Sequence, residues 1–213
     1  MYPPPTKDAG PWAVGLSRWC AVHLLVAVIV AMQALPAKAA AQRAIILEIN
    51  DAIGPAIADY IVGELRTVDT SQTGLIVLRM NTPGGLDTSM REIVSAILAS
   101  PVPVATYVAP NGARAASAGT YIAYASAIVG MAPGTNIGAA TPVQLGLSPL
   151  FPEQPSAQKN GQEKGAVGVP TDTESRKAIN DAMAYIRSLA ELNGRNADWA
   201  AEAVRTAVSL PAS

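Results

Sequence analysis

Three apolar runs, at 44–50, 74–80 and 104–108, begin thirty residues apart. Each is short and rich in Ile, Val and Leu, which suits a buried strand rather than a core helix. The interval between them has room for one helix and a turn. Parallel strands need a crossover of that size, so the spacing predicts βα units and a largely parallel sheet. A fourth strand is expected at 127–131. The helix opening at Pro55 carries Ile57, Tyr60, Ile61, Leu65 and Val68 at helical spacing, with proline tolerated in the first turn. A helix at 87–99 shows Met90, Ile93, Val94, Ile97 and Leu98 on one face.

The rest of the chain is more uneven. Residues 110–116 read as a turn leading into a small-residue helix from about Ser117 to Ser126. Residues 141–172 hold prolines, glycines and polar residues without periodicity, the pattern of a long flexible loop. A helix follows over 173–192, with Gly194 placed as its C-terminal cap. Asn196 is positioned to cap a last helix through Arg205.

The first 42 residues stand apart from this pattern. Lys7 and Arg18 precede an apolar run from Cys20 to Met32, and Ala37-Lys38-Ala39 matches a small-x-small cleavage site. This is the layout of a signal peptide, with an N-terminal membrane anchor as the alternative. The run is shorter than the roughly 20 apolar residues of a spanning helix. Either way the domain from 43 to 213 is expected outside the cytoplasm, periplasmic or attached to the membrane.

Composition removes several classes of function. The net charge is -1, and no Lys/Arg run supplies the basic footprint of a nucleic-acid binder. The chain has one cysteine and one histidine, Cys20 and His23, both in the N-terminal segment. No thiolate or imidazole metal site follows from such a sequence, and no cofactor is expected.

The missing histidine also limits serine chemistry. Residues 112–120, Gly-Ala-Arg-Ala-Ala-Ser-Ala-Gly-Thr, present Ser117 at a helix start. A serine needs a neighbour to take its proton. Beyond residue 42 the remaining bases are carboxylates and three lysines, Lys159, Lys164 and Lys177. A lysine serves when burial keeps it neutral. The helix start favours negative charge, so the Ala118 N–H is a candidate oxyanion donor, with a second from the Gly84-Gly85 turn. A serine capping an alanine-rich helix carries the same local pattern, so the motif alone leaves both readings open.

Three segments together are more specific. Asn81-Thr82-Pro83-Gly84-Gly85, Gly112-Ala-Arg-Ala-Ala-Ser117-Ala-Gly-Thr-Tyr121-Ile-Ala, and Met131-Ala-Pro-Gly-Thr-Asn-Ile-Gly-Ala139 resemble the NfeD-family membrane-bound serine proteases of the ClpP class. The resemblance runs from about Ile45 to Leu210. It implies a ClpP/crotonase-like spiral of ββα units and a Ser-Lys dyad, with Ser117 as nucleophile and Lys177 as base. It implies Gly84 or Gly85 with Ala118 as the oxyanion hole, and neither metal nor cofactor. It further implies cleavage of hydrophobic segments, a stomatin-like membrane protein as substrate or partner, and a homodimer or higher homo-oligomer.

Two departures from the family are expected. The 141–172 connection looks long, and the chain stops at Ser213 where members continue, as a C-terminally truncated domain would. Lys177 also lies about 200° around its helix from Ile179, away from the apolar stripe of Ile179, Ala182, Met183 and Ile186, so its burial must come from outside that helix. Two rival functions remain. One is a crotonase-like acyl-transfer enzyme using the oxyanion hole without a covalent serine, and the other a non-catalytic scaffold for a stomatin-like protein. Arg114 reads as a solvated turn residue, Asp87 as support for its helix's first turn, and Trp199 as core or interface.

Overall fold

The computed structural model describes residues 42–143 and 172–212, together with His23. Contacts divide the chain into Met1–Ala41 and Gln42–Ser213, and the fold is that of the second unit. The expected leader and cleavage site, His23 apart, and most of the expected 141–172 loop lie outside the described residues.

Four strands, β1 (Arg43–Ile49), β2 (Thr73–Met80), β3 (Val104–Val108) and β5 (Ile128–Met131), form one sheet in the order β1-β2-β3-β5, every pair parallel. Ile49 pairs with Met80, Met80 with Val108 and Val108 with Met131, so all four strands end in one row. The turns that follow them therefore converge on one edge, where parallel α/β sheets place their sites.

Helices α1 (Pro55–Thr67) and α2 (Asp87–Ala99) are the crossovers. They bury Ala58, Ile61 and Leu65, and Met90, Ile93, Val94 and Ile97, with the strand residues Leu47, Ile49, Ile76, Leu78 and Met80 in the same core. Each fully buried Ile, Leu or Met contributes about 1.5–3 kcal/mol relative to exposure. Two residues expected on the packed faces are not there. Tyr60 is 44% exposed and Leu98 47%. Each sits one position, about 100°, from a fully or nearly buried isoleucine, which already fills the stripe.

A second, three-stranded sheet is the main feature absent from the sequence reading. It comprises β4 (Arg114–Ala116), β6 (Asn136–Gly138) and β7 (Ser209–Pro211), with β4 parallel and β7 antiparallel to β6. A bridge from Thr82 to Ala115 ties it to the end of β2. Helix α3 (Ala118–Ala125) follows β4 directly and is buried along its whole length. Its alanines and Gly119 make that possible. A Cβ on Gly119 would lie 2.6 Å from Thr82 Cγ2 and 3.2 Å from Met80 Sδ.

The C-terminal helices are α4 (Asp172–Leu192) and α5 (Ala197–Arg205). Gly194, at φ +63°, ends α4 with the Arg195 N–H on the Ala190 carbonyl at 2.7 Å, a Schellman closure. Asn196 caps α5 through its side chain and the Trp199 N–H. Arg195 donates to the Tyr124 and Ser126 carbonyls, placing a cation where the last turn of α3 carries negative partial charge. Trp199 stacks on Tyr124 with ring centroids 6.1 Å apart, a packing role.

Candidate active site

Ser117 joins β4 to α3 in a conformation unusual for its type, φ +51° and ψ −118°. A non-glycine residue there costs on the order of 1–3 kcal/mol and persists only when its neighbours hold it. They do so through main-chain bonds. The Ala116 N–H donates to the Thr82 carbonyl at 3.2 Å, and the Ser117 N–H to the Gly138 carbonyl at 3.0 Å. The Ser117 carbonyl then accepts from the Thr120 N–H at 2.9 Å and opens the helix. Thr120 reinforces the same point, its hydroxyl donating to the Ala115 and Gly138 carbonyls.

Ser117 occupies the N-cap position, yet its side chain caps nothing. A serine selected for capping accepts a hydrogen bond from the first helical turn. Here Oγ makes no such bond, and Ser117 lines a cleft of about 90 Å³ with Gly85, Ala118, Tyr121, Pro142 and Ala182. The strained backbone thus places Ser117 on the cleft wall without its side chain closing the helix end.

The two glycines after β2 have different positions. Gly84 is buried at φ +117°, its Cα against Ser117, and an added Cβ would lie 2.6 Å from Ser117 Cβ. Its N–H donates to Thr82 Oγ1 at 3.1 Å, and its carbonyl accepts from the Ile53 N–H at 2.7 Å. Gly85 is exposed and lies on the cleft wall, held from behind where a Cβ would meet the Ile53 carbonyl at 2.1 Å. The N–H groups of Gly85 and Ala118 have no hydrogen-bond partner among the described residues. Gly85, Ser117 and Ala118 thus come together, with Gly84 as the spacer that lets them.

The NfeD1b N-terminal domain model matches residues 43–147. A solved structure of the 1510-N membrane-bound stomatin-specific protease, a serine-to-alanine mutant, is 35% identical with a TM-score of 0.64, covering 80% of this chain and 73% of that one. The chain belongs to the NfeD N-terminal domain family. Its fold is the ClpP-like fold of those protease structures. A second structure of 1510-N, a lysine-to-alanine mutant in complex with a substrate peptide, is 34% identical with a TM-score of 0.65, covering 80% of this chain and 69% of that one. Among curated relatives, membrane-bound protease PH1510 of Pyrococcus horikoshii is 42% identical over 135 residues, 63% of this chain and 26% of that protein. Membrane protein NfeD1b of Bacillus subtilis is 35% identical over 106 residues, 50% of this chain and 24% of that protein. The chain spans about a quarter of the length of these curated relatives.

In this NfeD-family chain Lys177 lies near the start of α4, exposed, with no hydrogen bond or ion pair among the described residues. It is not on the cleft wall. Lys159 and Lys164 lie outside the described residues. Among the described residues the cation that lines the cleft is Arg91 on α2, which the sequence reading missed. It donates to Asp87 at 2.8 Å and to Asp181 of α4 at 2.5 Å, and lies over the Tyr185 ring at 4.4 Å. Partial burial alone would lower its pKa, but the two carboxylates more than offset that and raise it. Tyr185 in turn stacks on Tyr121 at 6.0 Å. Burial raises the Tyr121 phenol well above its ordinary range, and its O–H donates to the Ala140 carbonyl at 3.1 Å. The i,i+4 spacing of Asp87 and Arg91 was a local signal for part of this cluster. Asp181, ninety positions from Arg91, gave none.

Proposed function

We propose that this chain is a serine endopeptidase that works through a Ser117–Lys177 dyad on a stomatin-like membrane protein. The carrying observation is Ser117 itself: a strained, uncapped serine on the wall of a cleft beside two N–H groups without hydrogen-bond partners among the described residues. Lys177 takes the Ser117 proton as Oγ attacks the substrate carbonyl carbon. The Gly85 and Ala118 N–H groups stabilise the tetrahedral oxyanion, each worth on the order of 3–4 kcal/mol in the transition state. Gly84 keeps the Ser117 side chain within reach of them. The tetrahedral intermediate collapses to an acyl-enzyme, with the leaving amine protonated by the Lys177 ammonium. Lys177 then takes a proton from water, which attacks the ester and frees Ser117.

The substrate class rests on the matched structures, which are of a stomatin-specific protease, one of them in complex with a substrate peptide. Two of those structures are serine and lysine mutants, which supports the choice of these two residue types. No helix among the described residues is long and apolar enough to cross a membrane. Membrane association and placement outside the cytoplasm are therefore proposed from the N-terminal segment and from the membrane-bound relatives.

The exposure of Lys177 favours a second reading, a non-catalytic scaffold for a stomatin-like protein. Treating the full chain with a fluorophosphonate and mapping the adduct separates the two. Covalent labelling of Ser117 that is lost in both Ser117→Ala and Lys177→Ala supports the dyad. A folded wild-type chain that takes no label supports the scaffold.

A further inference from the structure

Helix α4 carries Lys177, packs on the core through Ile179 and Met183, and meets the Ser117 side of the molecule through Asp181, Ala182 and Tyr185. Lys177, Asp181 and Tyr185 follow one another at i, i+4 and i+8, each about 40° further round the helix. Tyr185 stacks on Tyr121 of α3, and Asp181 reaches Arg91 of α2. Arg91 is on the cleft wall with Ser117 and Gly85, and so is Ala182 of α4. Arg91 is held in place on its own helix by Asp87. The Arg91–Asp181 pair is therefore a polar link, beside the buried Ala182, between the cleft wall and the turn of α4 that precedes Tyr185 and follows Lys177.

We propose that Arg91 and Asp181 form a positioning clasp that sets the lysine-bearing end of α4 against the Ser117 cleft. Neither group acts on substrate in this role. The proposal rests on the dyad assigned above, since a clasp matters to chemistry only if Lys177 is the base. Its physical logic is that of alignment. Asp181 is 69% exposed and Arg91 38%, so the pair contributes little to overall stability. A small misplacement of a catalytic group, by contrast, can lower a rate on the order of a hundredfold.

The test uses the full chain and the same fluorophosphonate, with the maximal rate of Ser117 modification measured separately from the half-saturating concentration. Asp181→Ala is expected to lower the maximal rate at least tenfold, roughly, while half-saturation and melting temperature stay close to wild type. Asp181→Glu, which restores a carboxylate at the same place, is expected to recover most of the rate. An unchanged rate in Asp181→Ala overturns the clasp, as does a loss that Asp181→Glu does not relieve. If the wild-type chain takes no label, the dyad reading fails, and amide hydrogen exchange over 173–182 then judges the clasp alone. Faster exchange there in Asp181→Ala supports it, and unchanged exchange overturns it.

Discussion

The two halves of the proposed dyad are built in opposite ways. Ser117 is fixed by main chain: β4 on one side, Gly138 on another, Gly84 against its side chain, and a helix starting at the next residue. Lys177 stands on an exposed stretch of α4, and the described fastenings of that face are side chains, Asp181 on Arg91 and Tyr185 on Tyr121. Backbone geometry can hold strain and aim N–H groups through main-chain hydrogen bonds that require no particular side chain. A base that must be neutral and aligned depends on groups brought from elsewhere in the fold. The proposed oxyanion half is therefore held mainly by main chain, and the proposed base half mainly by side chains.

The sharpest way to break this contrast is to remove each group in turn. Ser117→Ala and Lys177→Ala are both expected to abolish peptide hydrolysis, measured on a hydrophobic peptide substrate, with far-ultraviolet circular dichroism unchanged. Activity surviving in Lys177→Ala would remove the base from the comparison. Gly84→Ala comes next in size. It forces a Cβ to 2.6 Å from Ser117 Cβ at φ +117°. A loss of Ser117 labelling on the order of a hundredfold is expected, with about 2 kcal/mol of destabilisation in urea titration. A Gly84→Ala chain that labels normally would mean that the close approach is not what places the serine.

A smaller effect tests the strain directly. Ser117→Ala keeps a Cβ at φ +51°, whereas Ser117→Gly removes it. Both lack the nucleophile, so any difference between them is conformational. Relief of left-handed strain should make the glycine variant more stable by up to about 1 kcal/mol, net of the extra chain entropy that glycine brings to the unfolded state. Equal urea midpoints would show that the turn at Ser117 is not strained in the way its dihedrals imply.

These sites differ in how far the sequence foretold them. The main sheet was legible because its strands are apolar runs at fixed spacing, and α2 begins and ends at the expected residues. The second sheet was not, because β4, β6 and β7 are three-residue strands of mostly small or polar residues with no period to detect. Ser117 was legible as a serine at a helix start, but its conformation depends on Gly138, twenty-one positions on, and on Thr82, thirty-five positions back. Lys177 was legible as the surface residue that its helix position implied. The polar tie of its helix to the cleft, Arg91 to Asp181, is a contact between residues ninety apart and left no mark in either local segment.

The stack of Tyr121 on Tyr185 offers the last and smallest test, through pH. In the unfolded chain the Tyr121 phenol titrates near its ordinary value of about 10. In the fold, burial is the largest cause raising it, with Asp87, Asp181 and Tyr185 adding to the rise and Arg91 opposing it. Above about pH 10 the unfolded chain therefore loses this proton while the native chain keeps it. The contribution to stability is full below that pH and falls as pH rises further. Tyr121→Phe leaves the Ala140 carbonyl without this donor and should cost about 1 kcal/mol at neutral pH. It should also flatten the alkaline decline without abolishing it, because burial raises Tyr124 and Tyr185 as well. Melting temperatures of the two chains between about pH 8 and pH 11 check this. If the curves run parallel throughout, Tyr121 is not held neutral by its surroundings, and the wall of the cleft that it shares with Arg91 is wetter than its packing indicates.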